Sequence, residues 1–191
     1  MTDLWALGLL LALGLFWSLG AYNRLIRLRA QAIVAFSGFE QNTGKLTALV
    51  QSRFPYSVLF SVADPAVISH ELVSAWAGLV GASDQLSVSM KVARQRPLHA
   101  ESIAALALAQ TTMSDSWLRL QQLSVQIEPS AQSASQWLPA ELQEQWGQLA
   151  NQSERNKLEF NQQVSAYNRA ITQFPAAVLA WVFGFKLAQV L

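Results

Sequence analysis

Residues 139–173 read PAELQEQWGQLANQSERNKLEFNQQVSAYNRAITQ, and this stretch decides the fold class. From Leu142 to Phe174, most positions that can be buried are separated by three or four residues. That spacing places them on one face of a long α-helix, in a coiled-coil-like pattern with a polar middle at Ser153 and Asn156. No segment of the chain sustains the alternation that is typical of a β-strand. The sequence therefore predicts an all-α protein.

Three more helices are predicted before this one, because prolines divide the rest of the chain. The first helix should end near Arg53, before Phe54-Pro55, and the break at Arg96-Pro97 should separate the second helix from the third. We expect the second helix at about 66–94 and the third at about 98–126, followed by a polar linker that includes SAQSAS at 130–135. Asp64-Pro65 is typical of a helix start, with Asp64 as the N-cap and Pro65 at the first helical position. The apolar segment 54–68 is expected to be a short buried helix or loop, or a shallow membrane contact. Residues 22–175 should form an elongated antiparallel four-helix bundle.

The N-terminal segment has the composition of a membrane anchor. Leu4 to Ala21 reads LWALGLLLALGLFWSLGA, eighteen residues without a charge. A helix of that length covers about 27 Å, close to the hydrocarbon thickness of a bilayer. The alternative is a cleaved signal peptide, but the charged residue before the run is the acidic Asp3 rather than a base. We therefore predict a transmembrane anchor at 1–21 that continues without a break into the first bundle helix.

The arginines after this segment predict its orientation. Arg24, Arg27 and Arg29 follow the apolar run, whereas no basic side chain precedes it. The positive-inside rule then places the N-terminus outside and the bundle in the cytoplasm, with these arginines near lipid headgroups. The 13 basic and 12 acidic side chains are spread along the chain. Nucleic-acid binding is not expected, because such binders concentrate their basic residues on one face.

The C-terminal residues 176–191, AAVLAWVFGFKLAQVL, form an apolar tail with a single charge at Lys186. Sixteen residues are marginal for a second membrane span. We expect the tail to dock at the end of the bundle that lies beside the anchor, or to lie in the membrane interface. Binding of a partner protein is the third alternative.

A search for catalytic chemistry finds little in this sequence. There is no cysteine, so thiolate nucleophiles and thiolate metal sites are excluded. His70-Glu71 begins like a zinc-protease helix, but Ser74 occupies the position of the second histidine. His99 and Glu101 are two residues apart, so they point to different faces of a helix. We therefore predict a protein that is not an enzyme, with no catalytic residue, cofactor or metal.

Pairs of an aromatic residue and asparagine are the most distinctive motif. Tyr22-Asn23-Arg24-Leu25-Ile26 is echoed by Tyr167-Asn168-Arg169-Ala170-Ile171, and Phe160-Asn161 lies one heptad before the second copy. Asparagine is a mediocre helix former, so its repeated use on helices needs a reason. The expected reason is that the side-chain amides fix helix register through hydrogen bonds. Ligand binding by these amides is the alternative.

Together these motifs resemble the LemA family. The resemblance rests on Tyr22-Asn23 with Arg29, on the two pairs Phe160-Asn161 and Tyr167-Asn168, on Ile171 with Phe174-Pro175, and on Gly184-Phe185. Residues 44–50 differ, because they lack the Asp-Leu-Ile-Pro-Asn-Leu stretch that is usual in that region of the family. The resemblance implies a membrane-tethered, coiled-coil-like four-helix fold and brings no agreed enzymatic activity.

Two functions follow as hypotheses. The first is a non-enzymatic scaffold or assembly protein, a single-pass protein of the bacterial inner (cytoplasmic) membrane. Its expected partners are the membrane, other membrane or cytoplasmic proteins, and a second copy of the chain. The alternative is a membrane-tethered sensor that binds a small ligand in a pocket lined by Asn23, Asn161 and Asn168.

Overall fold

A computed structural model of the chain describes residues 2–53, 70–127 and 138–191. In the first helix, side chains are described at Trp5, Gly8 and Leu9 and from residue 12 onward. These ranges contain α-helices and no strand, so the all-α prediction is confirmed for them. The helices are α1 (Thr2–Arg53), α2 (His70–Gln95), α3 (Ala100–Ile127), α4 (Ala140–Thr172) and α5 (Ala176–Phe183).

The helix ends follow the prolines of the sequence. α1 runs without interruption to Arg53, and a turn at Arg96-Pro97 separates α2 from α3, as predicted. α4 begins directly after Pro139. Proline supplies no backbone N–H and therefore fits the start of a helix. The proposed cap at Asp64-Pro65, the apolar segment 54–68 and the linker at 130–135 lie outside the described residues.

Neighbouring helices run in opposite directions. Phe36 of α1 meets Phe160 of α4, and Thr43, further along α1, meets Ser153, which comes earlier in α4. α1 and α2 are also antiparallel, as the pairs Glu40–Arg94 and Gln51–Asp84 show. α3 and α4 are antiparallel in the pairs Gln110–Glu154 and Trp117–Trp146. The predicted antiparallel arrangement is therefore the one observed, with α1 against α4 and α2 against α3 as the most extensive contacts.

The buried face of α1 is wider than a coiled-coil seam. Two rows of buried side chains each repeat every seven residues, and two further buried residues lie beside them: Leu25, Ala32, Phe39 and Leu46, then Phe36, Thr43 and Val50, and in addition Ala35 and Thr47. A coiled coil needs only a narrow stripe of two positions per heptad, whereas a globular bundle buries a broader face. The prediction of coiled-coil packing therefore finds no support in these contacts.

A polar layer crosses the middle of the core between α1 and α4. The hydroxyls of Thr43 and Ser153 are hydrogen-bonded at 2.8 Å, and both residues are buried. One helical turn further along α4, the Asn156 amide donates to the carbonyl oxygen of Gly38 at 2.9 Å. Because a buried polar group must find its partner, these two bonds fix the register of α1 against α4. The polar middle predicted for this helix has this role.

The described part of the chain contains no helix that combines the length and the apolar character needed to cross a membrane. The prediction that residues 1–21 form a transmembrane helix is therefore not supported by the helices described.

Candidate interaction site

The chain turns twice after α4 and then runs antiparallel to it. α4 ends at Thr172, the Phe174-Pro175 peptide bond is cis, and α5 begins at Ala176. α5 then ends at Gly184, which has a φ of 68°, a left-handed conformation that glycine adopts at little cost. The N–H of Phe185 bonds to the carbonyl of Ala180 at 2.9 Å, so α5 closes in a Schellman motif. This second turn sends residues 185–191 back along α4. They form no β-strand but are here called the tail strand for their course along the helix.

Two asparagines of α4 hold the tail strand by its backbone. The Asn168 amide donates to the carbonyl of Ala188 at 2.8 Å, and its oxygen accepts the Ala188 N–H at 2.9 Å. Asn161 binds Leu191 in the same way, at 3.0 Å and 2.8 Å. Each amide therefore satisfies both backbone groups of one residue, as a neighbouring β-strand would. These two pairs of bonds are called the asparagine clamps.

The heptad interval between the clamps matches the geometry of the tail strand. Seven residues of an α-helix rise about 10.5 Å. Three residues of extended chain, the separation of Ala188 from Leu191, cover about 9–10 Å. Asn161 and Asn168 are therefore spaced so that an extended segment can meet both amides without bending.

The aromatic member of each pair faces the core or the tail. Phe160 is fully buried and meets the ring of Phe36 at 5.6 Å. Tyr167 is also buried, and its hydroxyl donates to the carbonyl of Lys186 at 3.1 Å. Consecutive helical residues point about 100° apart, so an aromatic-Asn pair can pack with one side chain and clamp with the next.

The environment of Tyr167 keeps its hydroxyl protonated. Burial raises the pKa of Tyr167 above its usual value of 10.0, and the positive charge of Arg29 partly opposes this rise, because a nearby cation favours the phenolate. A neutral phenol retains the proton that it donates to Lys186. The hydrogen bond to the tail strand is therefore available throughout the physiological pH range.

A cleft of about 510 Å³ opens beside the tail strand. Its walls come from α1, the turn between α2 and α3, Tyr167 of α4, and residues 183–186. Four of its lining residues carry basic side chains: Arg29, Arg96, His99 and Lys186. We call this the basic cleft. Aromatic residues line it as well, and the ring of Tyr22 lies 5.0 Å from that of Phe183 and 6.2 Å from that of Phe185.

The comparisons with known proteins decide the family. A sequence model of the LemA family matches residues 68–191, well over half of the chain. The chain belongs to the LemA family. The match covers α2 to α5, both clamps, Phe174-Pro175 and Gly184-Phe185, whereas Tyr22-Asn23 precedes it. Comparisons with curated proteins and with solved structures gave no match.

In this LemA-family chain the three asparagines that were predicted to line a pocket have different surroundings. Asn161 and Asn168 hold the tail strand with both atoms of their amides, and Asn23 is exposed on α1. Phe174 is also 78% exposed, and its ring lies 5.5 Å from that of Trp17. The amides of Asn161 and Asn168 are therefore occupied by backbone groups of the tail strand, and ligand binding by the three asparagines stays a prediction.

The arginines predicted to set the topology are all on the surface of α1. Arg24, Arg27 and Arg29 are exposed, and of these three only Arg29 lines the basic cleft. The other basic residues of the cleft were missed by sequence analysis. Arg96 and His99 lie in the turn between α2 and α3 and Lys186 lies in the tail strand, so all three are distant in sequence from Arg29. No local pattern reveals that folding brings them together.

The polar residues outside these regions form ordinary structural contacts. Asp84 accepts a hydrogen bond from Gln51, and Glu154 accepts one from Gln110. His70 is exposed at the start of α2. Within the described residues, no group of histidine and carboxylate side chains could hold a metal ion.

Proposed function

We propose that this LemA-family protein is a non-enzymatic scaffold, held at a membrane by the start of α1 and contacting other proteins through α5. The observation that carries the proposal is an exposed apolar surface formed by two helices. On α1 its large side chains are Trp5, Leu9, Leu13, Leu15, Phe16, Trp17 and Leu19, and on α5 they are Val178, Trp181, Val182 and Phe183. The contact between Trp17 and Phe174 joins the two parts.

The segment of α1 at residues 12–17 has no polar face. Residues 12–17 are consecutive, all exposed, and contain no charged, hydroxyl or amide side chain. Six consecutive residues cover more than a full helical turn. A helix that is apolar all round is stable when lipid or protein surrounds it. Insertion into a bilayer satisfies this requirement without any partner protein, which supports a single-pass anchor.

The charges that follow support one orientation of this anchor. Arg24 and Arg27 are exposed within two turns of the apolar segment, where they can contact anionic headgroups. Basic residues flank transmembrane helices on the cytoplasmic side. The proposed location is therefore the bacterial inner membrane, with the N-terminus outside and the bundle in the cytoplasm.

The contact surface for partners is proposed on α5. Trp181 is 85% exposed. Tryptophan side chains are frequent anchors of protein interfaces. α5 lies at the same end of the bundle as the proposed anchor, because Phe174 meets Trp17. Other membrane or cytoplasmic proteins, or a second copy of the chain, could use this surface. The alternative function, binding of a small ligand by the bundle, is supported by the basic cleft rather than by the three asparagines.

Crosslinking in native membranes tests the scaffold proposal. The double variant Trp181→Ser/Val182→Ser should lose crosslinked partners or self-crosslinks that the unaltered chain forms. The matched control is Leu118→Ser/Val125→Ser, which removes two exposed apolar side chains from α3. If the unaltered chain is recovered alone and monomeric, or if both variants lose the same partners, the scaffold proposal is rejected.

Alkaline extraction tests the anchor separately. An inserted helix should keep the chain in the membrane pellet after carbonate treatment, whereas a peripheral protein is released. Release of the unaltered chain into the supernatant would reject the anchor and leave the contact surface on α5 to be judged by crosslinking.

A further inference from the structure

The basic cleft gathers positive charge without acidic partners. Arg29 comes from α1, Arg96 and His99 from the turn between α2 and α3, and Lys186 from the tail strand. Of the described residues that line the cleft, none is a carboxylate. In the three described ranges, the ion pairs are Arg53–Glu141, Arg94–Glu40 and Lys157–Glu154, and none of them involves a residue of the cleft. Like charges that converge in this way repel one another, and a bound anion relieves that repulsion.

The start of α3 also faces this region with the positive end of its helix dipole, although the first turn of α3 contains the acidic Glu101. α3 begins at Ala100, directly after His99, and its first intrahelical bond joins the Ile103 N–H to the His99 carbonyl at 3.1 Å. The N–H groups before Ile103 therefore belong to the positive end of the helix dipole. This end of α3 lies at the wall of the cleft that contains His99.

Apolar residues line the same cleft beside the basic ones. Tyr22, Phe183 and Phe185 form an aromatic cluster, and Ile26 and Ile33 of α1 continue it along the cleft. A ligand that fills the cleft would place an anionic group among the basic side chains and an uncharged part against these residues. The volume of the cleft is about 510 Å³. Sites for small molecules usually have volumes of this order.

We infer that the basic cleft is a binding site for a phosphate group, carried by an anionic phospholipid or by a soluble phosphate compound. Two guanidinium groups and an ammonium group on three separate segments suit the several oxygens of a phosphate, which accept charge-assisted hydrogen bonds from different directions. The site depends on the cleft alone, so it goes beyond the scaffold function and does not require it.

The position of the cleft makes a lipid headgroup one accessible source. Arg29 lies eight residues after Ala21, the last residue of the apolar segment. Eight helical residues rise about 12 Å. An arginine side chain can extend several ångströms toward a headgroup from there. A soluble phosphate compound can enter from water, because Arg29, Arg96, His99 and Lys186 are all exposed.

Calorimetric titration of the full chain in a non-ionic detergent tests the inference. The two ligands are inorganic phosphate and dihexanoyl-phosphatidylglycerol, a short-chain anionic phospholipid. The test variant is Arg29→Gln/Arg96→Gln, which removes both guanidinium groups from exposed positions and should leave the helical circular dichroism unchanged. We expect its affinity for the phospholipid to fall about tenfold or more, and the charge-conserving variant Arg29→Lys/Arg96→Lys to recover part of the loss.

A second variant controls for net charge. Arg119→Gln/Lys91→Gln removes two exposed positive charges from outside the cleft. Arg119 lies twenty helical residues after His99, a rise of about 30 Å. This control should bind both ligands as the unaltered chain does.

The outcomes of these titrations distinguish the sources of the phosphate group. If the cleft variant weakens both ligands, the site recognises phosphate from either source. If it weakens only the phospholipid, the lipid is the source, and if it weakens only inorganic phosphate, the source is soluble. Absence of binding by the unaltered chain, or equal losses in the cleft and control variants, would overturn the inference.

Discussion

The same short sequence occurs at two places in the bundle and has different roles there. Tyr22-Asn23-Arg24 on α1 and Tyr167-Asn168-Arg169 on α4 are identical tripeptides within helices. Asn168 clamps the backbone of Ala188, whereas Asn23 is exposed. The two tyrosines both contact the C-terminal region, but Tyr22 does so with its ring and Tyr167 with its hydroxyl.

What lies next to each copy explains the difference. One heptad before Asn168, α4 carries a second asparagine, and the two amides together match the spacing of an extended chain. One heptad before Asn23, α1 carries Phe16, which has no backbone-like hydrogen-bonding group. A single asparagine has no second amide at the right spacing on α1. The repeat therefore shows that a motif acquires its role from the spacing of its neighbours and from the segment that packs on it.

The largest expected effect concerns the aromatic positions. Phe160 is fully buried and packed on Phe36. Phe160→Ala should therefore lower the free energy of unfolding by about 3–5 kcal/mol. Tyr22→Ala should cost about half as much or less, since Tyr22 is only partly buried. Denaturant titrations followed by circular dichroism in a non-ionic detergent measure both. Equal losses would show that the aromatic residue on α1 is as important to the core as that on α4.

The second prediction separates the asparagines. Asn161→Ala/Asn168→Ala removes four hydrogen bonds to the tail strand. Each such bond has a net contribution of about 0.5–1.5 kcal/mol. The tail strand should detach while the four long helices remain folded, so hydrogen exchange at the amides of Ala188 and Leu191 should become fast.

The control for the asparagine prediction is the repeat on α1. Asn23 is exposed. Asn23→Ala should therefore change stability by less than about 0.5 kcal/mol, and the amides of Ala188 and Leu191 should keep their protection. If those two amides stay protected in the double variant as well, the clamps are not what holds the tail strand.

The sequence predicts the helices well because their signals are local. Prolines at 55, 97 and 139 break the chain, and the three- and four-residue spacing of apolar side chains identifies the buried face of each helix. The polar middle predicted for α4 is also confirmed, since Ser153 and Asn156 form the hydrogen bonds that fix the register of α1 against α4. Each of these signals is carried by residues within one or two helical turns.

The site was only partly predictable, because its partners are distant in sequence. The heptad pair Asn161 and Asn168 was recognisable as a source of hydrogen bonds, but those amides bind backbone groups 20 to 30 residues later. Every residue except proline has both of these backbone groups, so the sequence does not indicate which ones are bound. The basic cleft depends in the same way on folding, since Arg29, Arg96 and Lys186 have no common motif.

The smallest expected effect concerns the two tyrosine hydroxyls. Tyr167→Phe removes the hydrogen bond to the Lys186 carbonyl. This loss should lower the free energy of unfolding by about 1 kcal/mol at neutral pH. Tyr22→Phe keeps the ring contacts with Phe183 and Phe185. Its effect on stability should be less than about 0.5 kcal/mol. The same denaturant titrations measure this difference, and a larger loss for Tyr22→Phe would reverse the roles assigned to the two residues.

The pH dependence of this difference tests whether Tyr167 is buried as a neutral phenol. Burial raises its pKa in the folded protein above 10.0, so the unfolded chain loses the phenolic proton first as the pH rises. The stabilisation from Tyr167 is therefore complete below the unfolded pKa and declines as the pH rises through the raised pKa. The stability difference between the unaltered chain and Tyr167→Phe should therefore shrink as the pH rises from 10.0 through the raised pKa. A difference that widens there would mean that the folded protein favours the phenolate, and that the charge of Arg29 outweighs burial at this position.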